Sequence, residues 1–165
     1  MSKVAIIMGS DSDWPKLEPG YQLLQSFGIE TQVLVASAHR TPDVVEQFAR
    51  GAKEKGIDII IAGAGAAAHL AGVVAAFTTL PVIGVPISGS ALKGIDALLS
   101  MVQMPPGIPV ATIAIDCGKN AALYAIAILA LNNPDIDRQL AEFRQKQAEQ
   151  VAAKNHKLNQ QLSSH

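Results

Sequence analysis

Val4-Ala5-Ile6-Ile7-Met8-Gly9-Ser10-Asp11-Ser12-Asp13-Trp14-Pro15 sets the reading of the whole chain. Five consecutive apolar residues, three of them β-branched, suit a strand buried on both faces, because a strand wetted on one side alternates apolar with polar positions. Small polar residues follow. Asp13-Trp14-Pro15 then supplies an N-cap and a proline in the first turn of a helix that extends to about Phe27 and stops at Gly28. A doubly buried strand feeding straight into a helix is the first half of a βαβ unit, whose product is a parallel sheet.

The same alternation repeats outward from that segment. Residues 31–35, 57–61, 81–85 and 110–115 read as four further buried strands. Thr41-Pro42 opens a helix through Lys55, closed by Gly56; an Ala-rich helix covers residues 67–77; another falls between Ser90 and Met101; and Asn120 caps one over residues 121–131. Five strands with intervening helices give an α/β fold. After Asn132-Asn133-Pro134 the composition turns to Gln, Lys, Arg and Glu, with Ile136, Leu140, Phe143 and Val151 near one side at helical spacing. That stretch reads as a terminal helix reaching beyond the core, either solvated or docked on a neighbouring subunit, with residues 154–165 frayed. The expected organisation is a single domain over residues 1–165, with an α/β core at 1–131 and a helix and tail at 134–165.

Composition removes several function classes. Thirteen basic against fourteen acidic side chains leave a net charge of −1, which offers no electrostatic footprint for nucleic acid or an anionic membrane. Cys117 is the only cysteine, so neither an internal disulfide nor a zinc cluster can be built from this chain. The N-terminus lacks the long apolar region and small-residue cleavage site of a signal peptide, and no later apolar stretch reaches the ~20 residues that span a bilayer. A cytoplasmic protein is expected.

In a parallel sheet of this kind, ligands bind outside the carboxyl ends of the strands. The segments there are crowded with small and hydroxylic residues: Gly9 to Asp13, Ala36 to Pro42, Gly63 to His69, Pro86 to Ser90 and Asp116 to Asn120. Small residues let backbone N–H groups approach a ligand, and helix starts add donors and a favourable dipole, so a phosphate is the natural guest. Neither the Walker pattern nor the spaced dinucleotide glycines are present, which disfavours an NAD site.

Within these segments, His39-Arg40 joins a ring that can exchange a proton near neutral pH to a permanent cation that binds phosphate or carboxylate bidentately. Alone, the pair is equally a polar helix-entry loop; beside Ser10 and Asp13 at a neighbouring strand end it reads as a site. Asp11 and Asp13 form a possible magnesium pair, but the favoured reading has Asp13 capping its helix and accepting sugar hydroxyls, with Asp11 solvated. His69, in Ala68-His69-Leu70, is either a packed helix histidine or part of the site. Cys117 reads as a small buried filler and Met101 and Met104 as core or subunit contact.

Taken together, residues 8–14, 37–42, 62–70, 84–86 and 100–110 resemble, in order and at family spacing, the class I N5-carboxyaminoimidazole ribonucleotide mutases of purine biosynthesis. The resemblance implies a flavodoxin-like three-layer α-β-α sandwich with a five-stranded parallel sheet and a protruding C-terminal helix. It also implies a homo-octamer with sites at subunit boundaries, no metal or organic cofactor, and a small-molecule ribonucleotide as partner rather than nucleic acid or membrane. By the family pattern Ser10, Asp13 and Arg40 bind the ribonucleotide, Ser37, Gly65 and Ala66 line the pocket, His39 is the general acid/base and His69 is a second site histidine. The related class II enzymes, which carboxylate aminoimidazole ribonucleotide with free carbon dioxide, and a non-catalytic nucleotide-binding module are the alternative readings.

Overall fold

The computed structural model describes residues 2–163. Five strands, β1 (Lys3–Met8), β2 (Glu30–Val35), β3 (Ile59–Gly65), β4 (Val82–Ile87) and β5 (Ala111–Thr112), pair in the order β2-β1-β3-β4-β5, and every pairing is parallel. Between them run α1 (Trp14–Ser26), α2 (Pro42–Gly51), α3 (Leu70–Phe77) and α4 (Ile95–Val102), with α5 (Gly118–Ala130) and α6 (Pro134–Ser163) after β5. No helix of the described residues is long and apolar enough to cross a membrane.

The strand pleat sorts the core into two faces. Ala5 and Ile7 of β1 and Ile60, Ala62 and Ala64 of β3 share one cluster with Val45, Phe48 and Ala49 of α2, Leu70, Ala71 and Val74 of α3, and Ala97 and Met101 of α4. On the other face Gly63 makes room for Leu17 of α1, whose methyl carbon lies 2.7 Å from where a Cβ would sit. Burying a leucine fully, as here, contributes about 2 kcal/mol. The start of α5 presses against α1 at two glycines: a Cβ on Gly118 would lie 2.3 Å from the Lys16 carbonyl oxygen, and one on Gly20 2.4 Å from that of Gly118.

Several boundaries differ from the sequence reading, each for a local reason. β2 is not a buried strand: Val33 and Val35 are 40% and 51% exposed, because β2 is an edge with a neighbour on one side only. β3 begins two residues later than expected and continues through Gly65, since β1 and β4 supply ladder partners to the glycine-bearing segment as well. β5 keeps only two paired residues before the chain turns at Asp116, whose φ is +58°. α2 ends at Gly51, with residues 52–55 forming a turn that Gly56 closes at φ +72°. α3 starts at Leu70 rather than at residue 67, because the carbonyls of Ala66 and Ala67 are engaged in tight turns by the N–H groups of Ala68 and His69 rather than in helical bonds. Asn120 lies inside α5, which already begins at Gly118, and so does not cap it.

The chain groups into two compact units, Met1–Ala125 and Ile126–His165. In the second, the Asn133 side-chain oxygen accepts the N–H groups of Asp135 and Ile136 at 3.1 and 3.2 Å, capping α6 with Pro134 at its first position. Ile136 and Leu140 are buried, whereas Val151 is 65% exposed and does not continue their stripe. Residues 154–163 are helical rather than frayed; the remaining expected tail, residues 164 and 165, lies outside the described residues.

Candidate active site

The end of β1 makes the first wall. Ser10 caps a short 3-10 turn (Asp11–Asp13) with its hydroxyl, which accepts from the Ser12 N–H at 3.3 Å, while Asp13 Oδ2 accepts from the Ser10 N–H at 3.2 Å. This reciprocal capping box replaces the expected role of Asp13: its side chain makes no cap bond to α1. Asp11 is exposed, and its Oδ1 accepts from the Ser10 hydroxyl at 3.2 Å. Asp13 is 8% exposed. Burial, with a smaller push from Asp11, raises its carboxyl above the ordinary value of 3.8 against the opposing Ser10 N–H.

A second wall follows β2, where residues 37–41 close on themselves. Thr41 Oγ1 accepts from the Ser37 N–H at 2.9 Å and donates to the Ser37 carbonyl at 3.1 Å, so Thr41 locks the turn and does not cap α2 through its side chain. Ser37 Oγ in turn accepts the Arg40 N–H at 3.2 Å, and the Arg40 guanidinium donates from Nη2 to the Gly9 carbonyl at 3.2 Å. Arg40 is thereby drawn from the β2 end to the β1 end.

The floor is β3 and the loop after it. Gly65 suits a crowded place, since a Cβ there would sit 3.1 Å from the Ile87 carbonyl oxygen, and Ala66 turns the backbone to positive φ. Two tight bonds, from Ala68 N–H to the Ala66 carbonyl and from His69 N–H to the Ala67 carbonyl, both 2.9 Å, then carry the chain into α3. His69 stands at the N-cap position of α3. It is exposed rather than packed, and its Nδ1 lies 2.8 Å from His39 Nε2.

These walls enclose a cleft of about 430 Å3 that Ser10, Asp13, Ser37, His39, Arg40, Gly65 and Ala66 all line. That volume falls within the range of small-molecule sites. Its contents are one titratable ring, one guanidinium, one buried carboxylate and several hydroxyls over a floor of glycine and alanine, a set that can hold a phosphorylated sugar and exchange a proton with it. Among the described residues no three His, Cys, Asp or Glu side chains converge as metal ligands.

A family model described as AIR carboxylase matches residues 3–150. The chain belongs to the AIR carboxylase family. It is 56% identical over 145 residues to the N5-carboxyaminoimidazole ribonucleotide mutase of Pyrococcus abyssi, covering 88% of this chain and 83% of that one. The corresponding mutase of Thermotoga maritima is 49% identical over 160 residues, 97% and 94% of the two chains. Among solved structures, the crystal structure of Treponema denticola PurE matches with a TM-score of 0.85 at 30% identity, over 96% of this chain and 99% of that one.

The family match covers every strand-end segment of the cleft. Gly89, after β4, lines it from within the Pro86 to Ser90 segment, whereas Leu70, opening α3, lines it from outside the strand-end segments and carries only an ordinary core pattern. Cys117 is half-buried rather than a buried filler, whereas Met101 is fully buried in the core.

Proposed function

We propose that the chain is an N5-carboxyaminoimidazole ribonucleotide mutase, an isomerase of purine biosynthesis that moves a carboxyl group from the exocyclic nitrogen to C4 of the imidazole ring. The observation that carries this reading is the convergence of His39 and Arg40 with Ser10 and Asp13 on one cleft floored by residues without bulky side chains. Ser10, Asp13 and Arg40 hold the ribonucleotide, with Ser37, Gly65 and Ala66 shaping the pocket around it. His39 protonates the carbamate nitrogen as its bond to the carboxyl carbon breaks, releasing carbon dioxide into the pocket. C4 attacks that carbon to form the new bond, and neutral His39 removes the C4 proton, which restores the catalyst. His69 stands behind His39 at hydrogen-bond distance. The chemistry of these steps is carried by the chain's own side chains, with no metal or organic cofactor in any step.

A homo-octamer with sites at subunit boundaries accompanies this reading. It is supported by apolar surface left open on the first compact unit: Leu92 in the turn before α4, Ile95, Leu99 and Val102 along α4, and a depression of about 530 Å3 formed by Trp14, Tyr21, Val33 and Val35 among others. A cytoplasmic enzyme acting on a soluble ribonucleotide, without nucleic-acid or membrane partners, fits the near-zero net charge.

Purified protein supplied with each substrate in turn tests the function. The carbamate ribonucleotide is expected to turn over; turnover of aminoimidazole ribonucleotide with bicarbonate, and none of the carbamate, would instead identify a class II carboxylase. The mass of the assembly in solution tests the octamer.

A further inference from the structure

Asp116 occupies an unusual position just after β5. Its φ of +58° is left-handed, a conformation that few residues other than glycine, asparagine and aspartate adopt. Its N–H donates to the Pro86 carbonyl at 2.9 Å. Its carboxylate is engaged on both oxygens: Oδ1 accepts the Ser88 N–H at 2.8 Å, and Oδ2 accepts the Ser88 hydroxyl and pairs with the Lys16 ammonium at 3.0 Å. Two residues on, Gly118 lies so close to the backbone of Lys16 and Leu17 that no side chain fits between them.

None of Lys16, Ser88 and Asp116 lines the cleft, but the two residues that Asp116 joins lie next to its walls. Ser88 immediately precedes Gly89, and Lys16 follows Asp13 by three residues. In the sheet, β3 lies between β1 and β4, so Ser10 and Asp13 on one side and Gly89 on the other flank the β3 end that forms the floor. The connection Lys16–Asp116–Ser88 therefore spans the same gap as the cleft, from the β1 side to the β4 side.

We propose that Lys16, Asp116 and Ser88 form a clamp that holds the two sides of the cleft at a fixed separation, with Asp116 as its positioning residue. The clamp touches no substrate. It acts through Asp13 and Gly89, by keeping the α1 start and the segment after β4 from drifting apart. The kinetic part of its test rests on the mutase reading; the structural part does not.

The test compares Asp116→Gly, Asp116→Asn and Ser88→Ala with the parent protein. Glycine adopts the required φ freely, so the first substitution removes the carboxylate without adding backbone strain. Two quantities are read: amide hydrogen exchange over residues 10–13 and 88–90, and KM and kcat for the carbamate ribonucleotide. In Asp116→Gly, exchange at both segments is expected to quicken about tenfold, reflecting local opening, and KM to rise about tenfold with kcat within about threefold, the pattern of lost uniform binding. Asp116→Asn, which retains an acceptor for the Ser88 N–H, recovers part of each effect, and Ser88→Ala shows a smaller change in the same direction. The double variant Ser88→Ala/Asp116→Gly is no worse than Asp116→Gly alone, as coupled members of one contact require. Faster exchange confined to residues 114–118, with both cleft segments unchanged, overturns the clamp. A parent protein inactive on the carbamate overturns the mutase reading, and exchange then decides the clamp by itself.

Discussion

His39 Nε2 lies 2.8 Å from His69 Nδ1, with the two rings edge-on at 83° and their centroids 4.9 Å apart. One nitrogen of that contact must carry a hydrogen while the other offers a lone pair, so each ring constrains the tautomer of its partner. The contact joins the turn after β2 to the start of α3 and fixes the ring at the cleft wall. Replacing His39 by Asn keeps a polar group of similar reach but removes the titratable ring. Turnover of the carbamate ribonucleotide is expected to fall by about 10²–10⁴-fold, while affinity for the ribonucleotide stays within about tenfold, or ~1.4 kcal/mol. Calorimetric binding beside steady-state rates checks both; near-normal turnover in the variant would remove His39 from its assigned role.

Asp13 carries a carboxyl whose pKa burial raises, so folding favours its protonated form. The stability it contributes is fully present below the ordinary value of 3.8 and is lost as pH rises through the raised one; at neutral pH the ionised group destabilises the fold. Asp13→Asn, which still offers Ser10 an acceptor, is expected to melt a few degrees higher than the parent at pH 7. The gain shrinks as pH falls through the raised value and is gone below 3.8, and the substitution lowers ribonucleotide affinity. Melting curves from pH 3 to 8 test the sign, and a lower Tm at pH 7 contradicts it.

Asp116 behaves in the opposite sense. Burial pushes its carboxyl upward, but the Ser88 hydroxyl and N–H and the Lys16 ammonium together outweigh that and hold it below the ordinary 3.8. Its stabilisation is therefore present above 3.8 and lost as pH falls through the depressed value. Asp116→Asn is expected to cost about 2 kcal/mol at pH 7, the scale of a charge-assisted hydrogen bond, with the difference from the parent closing in acid. Urea unfolding at pH 7 and pH 3 measures the gap; an equal loss at both contradicts the assignment.

Gly118 and Gly20 set how near α5 comes to α1. The methyl of Gly118→Ala would meet backbone atoms, the Lys16 oxygen at 2.3 Å and the Leu17 Cα at 2.9 Å, neither of which can rotate aside. A loss of about 3 kcal/mol is expected, at the upper end of overpacking effects. Chemical denaturation checks it, and a variant as stable as the parent would show that the two helices separate easily.

How much of this was legible beforehand depended on how local the cause was. The first strand and helix were readable because the apolar run, Pro15 and Gly28 act within a few residues of one another. β2 was misread because Val33, Leu34 and Val35 state their own polarity and not whether a neighbour covers them. The extension of β3 through Gly63 and Gly65 was hidden because glycines signal turns by themselves, and here they serve the close approach of Leu17 and Ile87. At the site, the strand-end rule named the segments from which Ser10, Asp13, Ser37, His39, Arg40, Gly65 and Ala66 come to line one cleft. The contact of His39 with His69, thirty residues apart, and that of Ser88 with Asp116, twenty-eight apart, leave no mark on local pattern.

The strand order also governs how the chain reaches this fold. β1 pairs with β2 on one edge and β3 on the other, and its second pairing joins Val4 to Ile59. The centre of the sheet therefore cannot close until more than a third of the polypeptide has been made, and each later pairing is again parallel and distant along the chain. Loop closure over such separations costs entropy before the pairing repays it, which makes parallel sheets of this order slow to form. Until β3 arrives, the apolar segment from Val4 to Met8 has one open edge, the kind of unpaired edge that makes a partly folded chain prone to aggregate.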